Sequence, residues 1–289
     1  MAALNPITLT IQTLNGLSLG MLLFMLASGL TLITGLMGVV NLAQGSYYLL
    51  AAYVGVSVLA VTGNFVAAAV VGVLLAAGLG LVMQRFFLHR FYQQDLAQVL
   101  MTFGFLFVFQ DISLAIWKGA PVSPQVPGLL AGPVFIGQIG YPSYRVFIIF
   151  VGLLIALGLW LFVERTTFGA IIRAGVDDEE MLRGLGVNVP LLFTAVFALG
   201  AALAGLSGVL GSPIIGIYPG VDLNVLLLAF VVLIVGGLGS LKGAFLASFV
   251  VGLLDNFGKA FFPELSQFTI FVPMAVILVV KPSGLFGKT

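Results

Sequence analysis

The chain has 289 residues, of which 61% are hydrophobic and 7% charged, with a formal net charge of +1. A mean hydropathy of +1.23 excludes an ordinary soluble domain, whose charged fraction is about 25%. The small net charge offers no basis for nucleic-acid binding, the lack of cysteine removes disulfide and thiol chemistry, and a lone histidine, His89, cannot build a zinc site.

A membrane-spanning helix needs about 20 mostly apolar residues. Candidate spans lie at 9–34, 42–62, 64–84, 96–116, 145–163, 190–211, 223–240, 243–261 and 267–281. The expectation is an all-α polytopic membrane protein, one transmembrane domain over 1–289. It has about nine helices (8–10), with discontinuous or re-entrant segments. The opening MAALNPITLT lacks the basic stretch of a cleavable signal, so the first apolar run is expected to stay in the mature protein. No charged side chain precedes Arg85.

Between the first two spans, GLMGVVNLAQGSYY (35–48) interrupts the apolar runs with glycines and with Asn41, Gln44 and Ser46. Non-helical backbone at membrane depth is tolerated only where it is buried or lines a cavity, and broken helices often surround solute sites. Asn41, Gln44, Ser46 and Tyr47 are therefore candidates to border a solute path, a plain turn being the alternative. Small residues at four-residue spacing, Gly72, Ala76 and Gly80 and again Gly200, Ala204 and Gly208, suit close helix contacts in lipid. The segment 117–144 carries Pro121, Pro124, Pro127, Pro133 and Pro142 and is expected to be an irregular external loop.

The stretch ERTTFGAIIRAGVDDEEMLRGLGVN (164–188) gathers eight charges: Glu164, Arg165, Arg173, Asp177, Asp178, Glu179, Glu180 and Arg183. Each charge costs several kcal/mol at the bilayer centre, so the stretch is an aqueous loop. Its pattern predicts a helix–turn–helix knob. Thr166 or Thr167 caps the first helix, Gly175 breaks it, Asp177 and Asp178 start the second, and Gly184 and Gly186 close it. The knob, with its acidic face, Arg173 and Leu185, reads as a docking element for a cytoplasmic partner.

Farther on, GGLGSLKG (236–243) is the second break. Gly237 and Gly239 free the backbone and join the solute-path candidates, Ser240 suits a helix cap, and the alternative is a tight helix–helix turn. The P-loop spacing is absent throughout, so ATP is not bound by that motif. Ionisable residues near span ends are Asp111 close to Lys118, Asp255 with Lys259 at i,i+4, and Asp222 at the start of the span that carries Asn224. A site for a zwitterion would want one such carboxylate for the ammonium group. Otherwise the spans read as almost free of charge at mid-depth.

Lysine and arginine concentrate in cytoplasmic loops. Placing Arg85, Arg90, Arg165, Arg173, Arg183, Lys242, Lys281 and Lys288 inside leaves only Lys118, Arg145 and Lys259 outside. With nine spans, this predicts an external N-terminus and a cytoplasmic C-terminus.

Three stretches carry a family resemblance, in the family's order. FGAIIRAGVDDEEMLRGLGVNV with FALGAALAGLSGVLGSP, LTLITGLMGVVNLAQGSYYLLAAYV, and AFVVLIVGGLGSLKGAFLASFVVGLL resemble permeases of branched-chain amino acid ATP-binding-cassette transporters. They are more similar to the first-type subunit than to its longer partner. The resemblance implies a permease of the bacterial inner membrane that pairs with a second, homologous permease. Two cytoplasmic ATPases and a periplasmic substrate-binding protein complete the implied assembly. It also implies that the 169–188 window, within the cytoplasmic coupling loop 164–188, is the element seated in an ATPase groove, with Gly169, Arg173, Ala174, Gly186 and Asn188 matching the family pattern. Asp177, Asp178, Glu180 and Leu185 complete the coupling set from the knob itself. This chain departs from the family at 41–46: Gln44 and Ser46 stand where histidine and glutamate are usual. That points away from a role for charge there and to a substrate other than leucine, isoleucine or valine, relatives of the family importing urea and short amides as well as amino acids. The implied protein is no enzyme and holds no cofactor, ATP being bound by its partners. A self-contained secondary transporter or channel is the rival reading.

Overall fold

The computed structural model describes residues 5–287 except 93, 138 and 267, and the side chains at 136, 177 and 179 also lie outside the description. The fold is a helical bundle built around one central helix. That helix, α1 (Pro6–Met37), starts with Asn5 as its cap, accepting from the Ile7 N–H, and Pro6 at the first position. It is buried along most of its length. Around it lie α2 (Gln44–Thr62), α3 (Phe65–Val82), α4 (Asp95–Trp117), α5 (Ser143–Arg165), α8 (Val189–Ile215), α9 (Val221–Gly236), α10 (Leu241–Phe261) and α11 (Phe268–Val280). The short helices α6 (Thr167–Asp177) and α7 (Glu179–Gly184) lie between α5 and α8. A π turn at Met83–Phe87 and a 3₁₀ turn at Leu88–Phe91 extend α3.

Seven of these helices are long and apolar enough to cross a membrane among the described residues. The expectation of about nine spans is therefore met only in part. Helices α9 and α11, of 16 and 13 residues, reach about 24 and 20 Å, short of the ~30 Å hydrocarbon core. The loop 117–144 is less irregular than its prolines suggest. It holds a 3₁₀ turn at Gly128–Leu130 and an antiparallel hairpin, β1 (Pro133–Ile136) with β2 (Ile139–Pro142), and Val122 bridges to Ile217.

Small residues decide which helices touch. On α3 the buried positions are Ala68, Gly72, Ala76 and Gly80, one stripe at four-residue spacing that packs on α8. A Cβ at Gly72 would meet Val209 at 2.6 Å, and one at Gly80 would meet Ala201 at 2.5 Å. Antiparallel to α1, α10 brings Gly252 beside Gly16, and the turn before α10 brings Gly239 beside Gly35, where a Cβ on Gly35 would meet the Gly239 Cα at 2.7 Å. With lipid as apolar as leucine, such close backbone approach is what holds helices together. The outer helices α3, α4 and α5 keep most of their apolar surface exposed, as lipid-facing helices do.

These contacts sort the cations onto two ends of the bundle. Arg173 and Lys242 converge on Glu164 at one end, where Arg85 and His89 also lie beside Pro190. Lys118, next to the Trp117–Ser57 hydrogen bond, and Arg145, next to the Tyr144–Leu210 bond, lie at the other. Lys288 lies outside the described residues.

Candidate functional site

The break at 38–43 is folded into the bundle rather than laid on its surface. Gly38 closes α1 in the left-handed conformation (φ 69°), a backbone that glycine adopts without strain. The chain then climbs back, and α2 begins deep inside. Gln44 Nε2 donates to the Gly200 carbonyl at 2.9 Å, and Gln44 is fully buried. Gly200 packs against Gly29, which lies about 12 Å back along α1 from its end at ~1.5 Å per residue. The polar residues of the break serve one another. Asn41 Oδ1 accepts from the Ala43 N–H at 3.0 Å, its Nδ2 donates to Gln44 Oε1 at 3.2 Å, and the Leu42 N–H donates to Thr102 of α4 at 3.1 Å. Ser46 reaches the Leu106 carbonyl at 3.5 Å, and the Tyr47 hydroxyl donates to Met83 Sδ at 2.9 Å.

A second helix starts at the same place. Gly220, with φ 91°, precedes α9, and Gly45 of α2 packs directly against the Asp222 carbonyl. Neither α2 nor α9 has a side-chain cap. Two helix N-termini, each with unsatisfied N–H groups and the positive end of a dipole, thus meet inside the bundle. Asp222 itself is 0% exposed, and Gln110 Nε2 donates to its Oδ2 at 2.8 Å. Its Oδ1 has no hydrogen-bond partner among the described residues. The sequence offered Asp222 only as one carboxylate near a span end. Its burial corrects the expectation that the spans hold almost no charge at depth, and the missed signal was Gly220 breaking the chain just before it.

Gly237 (φ 98°) and Gly239 (φ 76°) do not join this cluster. They form a turn at the far end of α9, against Gly35 and the C-terminal residues Ser283–Gly287. There the Leu285 and Phe286 N–H groups donate to the carbonyls of Val235 and Gly236, so the turn reads as a helix closure. Ser240 caps α10 through the Gly243 N–H at 3.1 Å. Asp255 and Lys259 pair at 2.6 Å. Asp111 is exposed on α4 and forms no ion pair with Lys118 among the described residues.

The charged stretch folds as two short helices. Thr166 caps α6 at the Gly169 N–H, and Asp178 caps α7 at the Met181 N–H. Gly175 does not break the first helix. It is buried inside α6, where a Cβ would meet Leu36 at 2.8 Å, and the helix runs on to Asp177. The side chain of Asp177 lies outside the described residues. Gly186 (φ 82°) follows α7, and Asn188 caps α8 through the Leu191 N–H at 3.1 Å. The inner face, Ile172 and Leu182, packs with Leu36, Val163 and Phe193. Arg173 turns back onto the end of α5, donating to the Val163 carbonyl and lying 3.5 Å from Glu164. Gly169 is a glycine because a Cβ there would strike the Phe162 and Val163 carbonyls. Arg183 stacks on the Tyr92 ring at 4.8 Å. Outward face Ala174, Val176, Asp178, Glu180, Met181 and Leu185, with Met181 63% and Leu185 69% exposed. Val176 and Met181 extend the apolar patch beyond what the sequence reading named.

Residues 12–280 match the family described as "Branched-chain amino acid transport system / permease component". The chain belongs to this family. It is 26% identical to the high-affinity branched-chain amino acid transport system permease protein BraD of Pseudomonas aeruginosa, over 96% of this chain and 95% of that protein. The Escherichia coli permease protein LivH is also 26% identical, with the same coverage. A probable LivH of Methanocaldococcus jannaschii is 27% identical over 92% of this chain and 89% of its own length. Membership, together with the apolar helices, makes this a multi-pass membrane permease.

Proposed function

We propose that this permease is the membrane-spanning subunit of an ATP-driven importer for branched-chain or other hydrophobic amino acids, or for related small polar solutes such as urea and amides. The single observation that supports this most is the outward face of α6 and α7. Val176, Met181 and Leu185 are exposed on a charged, aqueous element, and such a patch marks a protein-binding surface. The element's inner face is wedged against α1, α5 and α8, so force applied to it reaches the bundle core. In this reading, ATPases seat on α6 and α7, a second permease completes the path, and a periplasmic binding protein delivers the solute. The face bearing α6 and α7 is cytoplasmic, as is the C-terminus, and the N-terminus is external. Solute passes the break at 38–44, where α2 and α9 start inside the bundle.

The family's transport systems supply the solute class, and the residues at the break support passage of something small and polar-headed. Reconstitution tests it. Proteoliposomes holding the permeases, both ATPases and the binding protein should accumulate leucine only with internal ATP. Uptake by the permease alone, without nucleotide, would favour a secondary transporter instead.

A further inference from the structure

We infer that the meeting point of α2 and α9 is a zwitterion cradle, in which Asp222 takes the ammonium group of the solute and the uncapped N-terminus of α2 takes its carboxylate. This rests on the amino acid reading above and chooses, within it, an α-amino acid over urea or a neutral amide. Asp222 is wholly buried, yet among the described residues its side chain accepts one hydrogen bond, from the neutral amide of Gln110 on Oδ2. Oδ1 has no donor among those residues. A buried carboxylate lacking a cation is strongly unfavourable unless something else compensates. Here the positive end of α9 holds the charge from one side, since Asp222 sits in that helix's first turn. That leaves Oδ1 free for a cationic donor brought from outside.

The second half of the cradle is next to it. Gly45, in the first turn of α2, touches the Asp222 backbone, and no side chain caps α2. Free N–H groups at a helix N-terminus bind carboxylates, and in broken transport helices they face anionic solute groups. Gly45 permits the approach, because a Cβ there would strike the Asp222 carbonyl. One carboxylate and one helix N-terminus side by side match the charges of an α-amino acid. A neutral amide offers no charge to either. Gly216 and Gly220, both at positive φ, flank the segment leading into α9 and give it the backbone freedom to open the cradle during transport.

The test uses the full transporter in proteoliposomes, with radiolabelled L-leucine and acetamide as probes. Asp222→Asn keeps shape and the Gln110 contact while removing the charge. Leucine uptake should fall about tenfold or more, the scale of a lost charge-assisted hydrogen bond. Asp222→Glu should retain more uptake than Asp222→Asn. The Asn variant should keep both ATPases and melt no lower than the unaltered complex, because a buried charge has been removed. Leucine uptake unchanged in Asp222→Asn would overturn the inference. So would a lowered melting temperature that fully tracks the lost uptake, or ATP-driven uptake of acetamide without leucine by the unaltered complex. The two proposals fail separately: leucine uptake that persists without ATP removes the importer reading yet leaves the Asp222 comparison intact.

Discussion

Gln44 of α2 and Gly200 of α8 are joined by a hydrogen bond of 2.9 Å deep in the bundle, across 156 positions of sequence. The bond holds the re-entrant start of α2 against the central helices. Gln44→Leu removes it together with the Asn41 Nδ2–Gln44 Oε1 bond, so the buried Asn41 amide loses a partner while the Gly200 carbonyl keeps its place in the α8 ladder. Each buried group left unpaired costs about 1–3 kcal/mol, so the melting temperature should fall. Uptake should fall with it, measured as initial rate per assembled complex. Unchanged stability would show that the break tolerates the loss of its central bond.

Glycine positions predict opposite outcomes for one substitution. A Cβ at Gly29 would strike the Gly200 carbonyl and approach Gln44 Nε2 to 2.7 Å, whereas nothing lies within 4 Å of one at Gly78. Gly29→Ala should destabilise the bundle by about 1–3 kcal/mol, the range for overpacking. Gly78→Ala should be neutral or stabilise by up to about 1 kcal/mol through helix propensity. Thermal unfolding of the two purified variants in detergent checks both signs.

Much of the architecture was legible because bilayer thickness dictates helix length and composition. Each expected span falls on a helix, seven of them of spanning length and α9 and α11 too short, and Ser240, Thr166 and Asp178 act as the caps their residue types suggested. What the sequence hid was depth. Asn41 and Gln44 read equally well as a surface turn, since only contacts with Gly200 and Thr102, far along the chain, pull them inside. Gly175 was misread for a similar reason: it is small so that Leu36 and Leu182 can close over it, a packing demand that mimics a helix breaker. Asp222 was hidden because a carboxylate at an apparent span end looks interfacial until the helix is seen to start within the bundle.

The outward patch on α6 and α7 should be separable from the fold. Met181→Glu and Leu185→Glu alter exposed side chains and should leave the unfolding free energy within about 0.5 kcal/mol of that of the unaltered protein. Both should reduce co-purification of the ATPases and lower solute-stimulated hydrolysis. Arg173→Glu should do more, because Arg173 also ties α6 to the α5 terminus. Full ATPase content in all three variants would place the docking surface elsewhere.

The proposed sidedness rests on the cation distribution. Since the chain lacks cysteine, single cysteines can be placed without background. A cysteine at 180 should react with an impermeant reagent only from the cytoplasm, and one at 125 only from outside. Exchanged labelling would invert the bundle.

The solute path through the α2 break is the centre of this account, and a cysteine at position 44 tests it most directly. In the assembled transporter, Gln44→Cys should react with a small water-borne thiol reagent in at least one nucleotide state, and leucine supplied with its binding protein should slow that reaction. A cysteine at 44 that stays unreactive in nucleotide-free, ATP-bound and vanadate-trapped transporter, while a cysteine at the exposed position 64 reacts throughout, would contradict it.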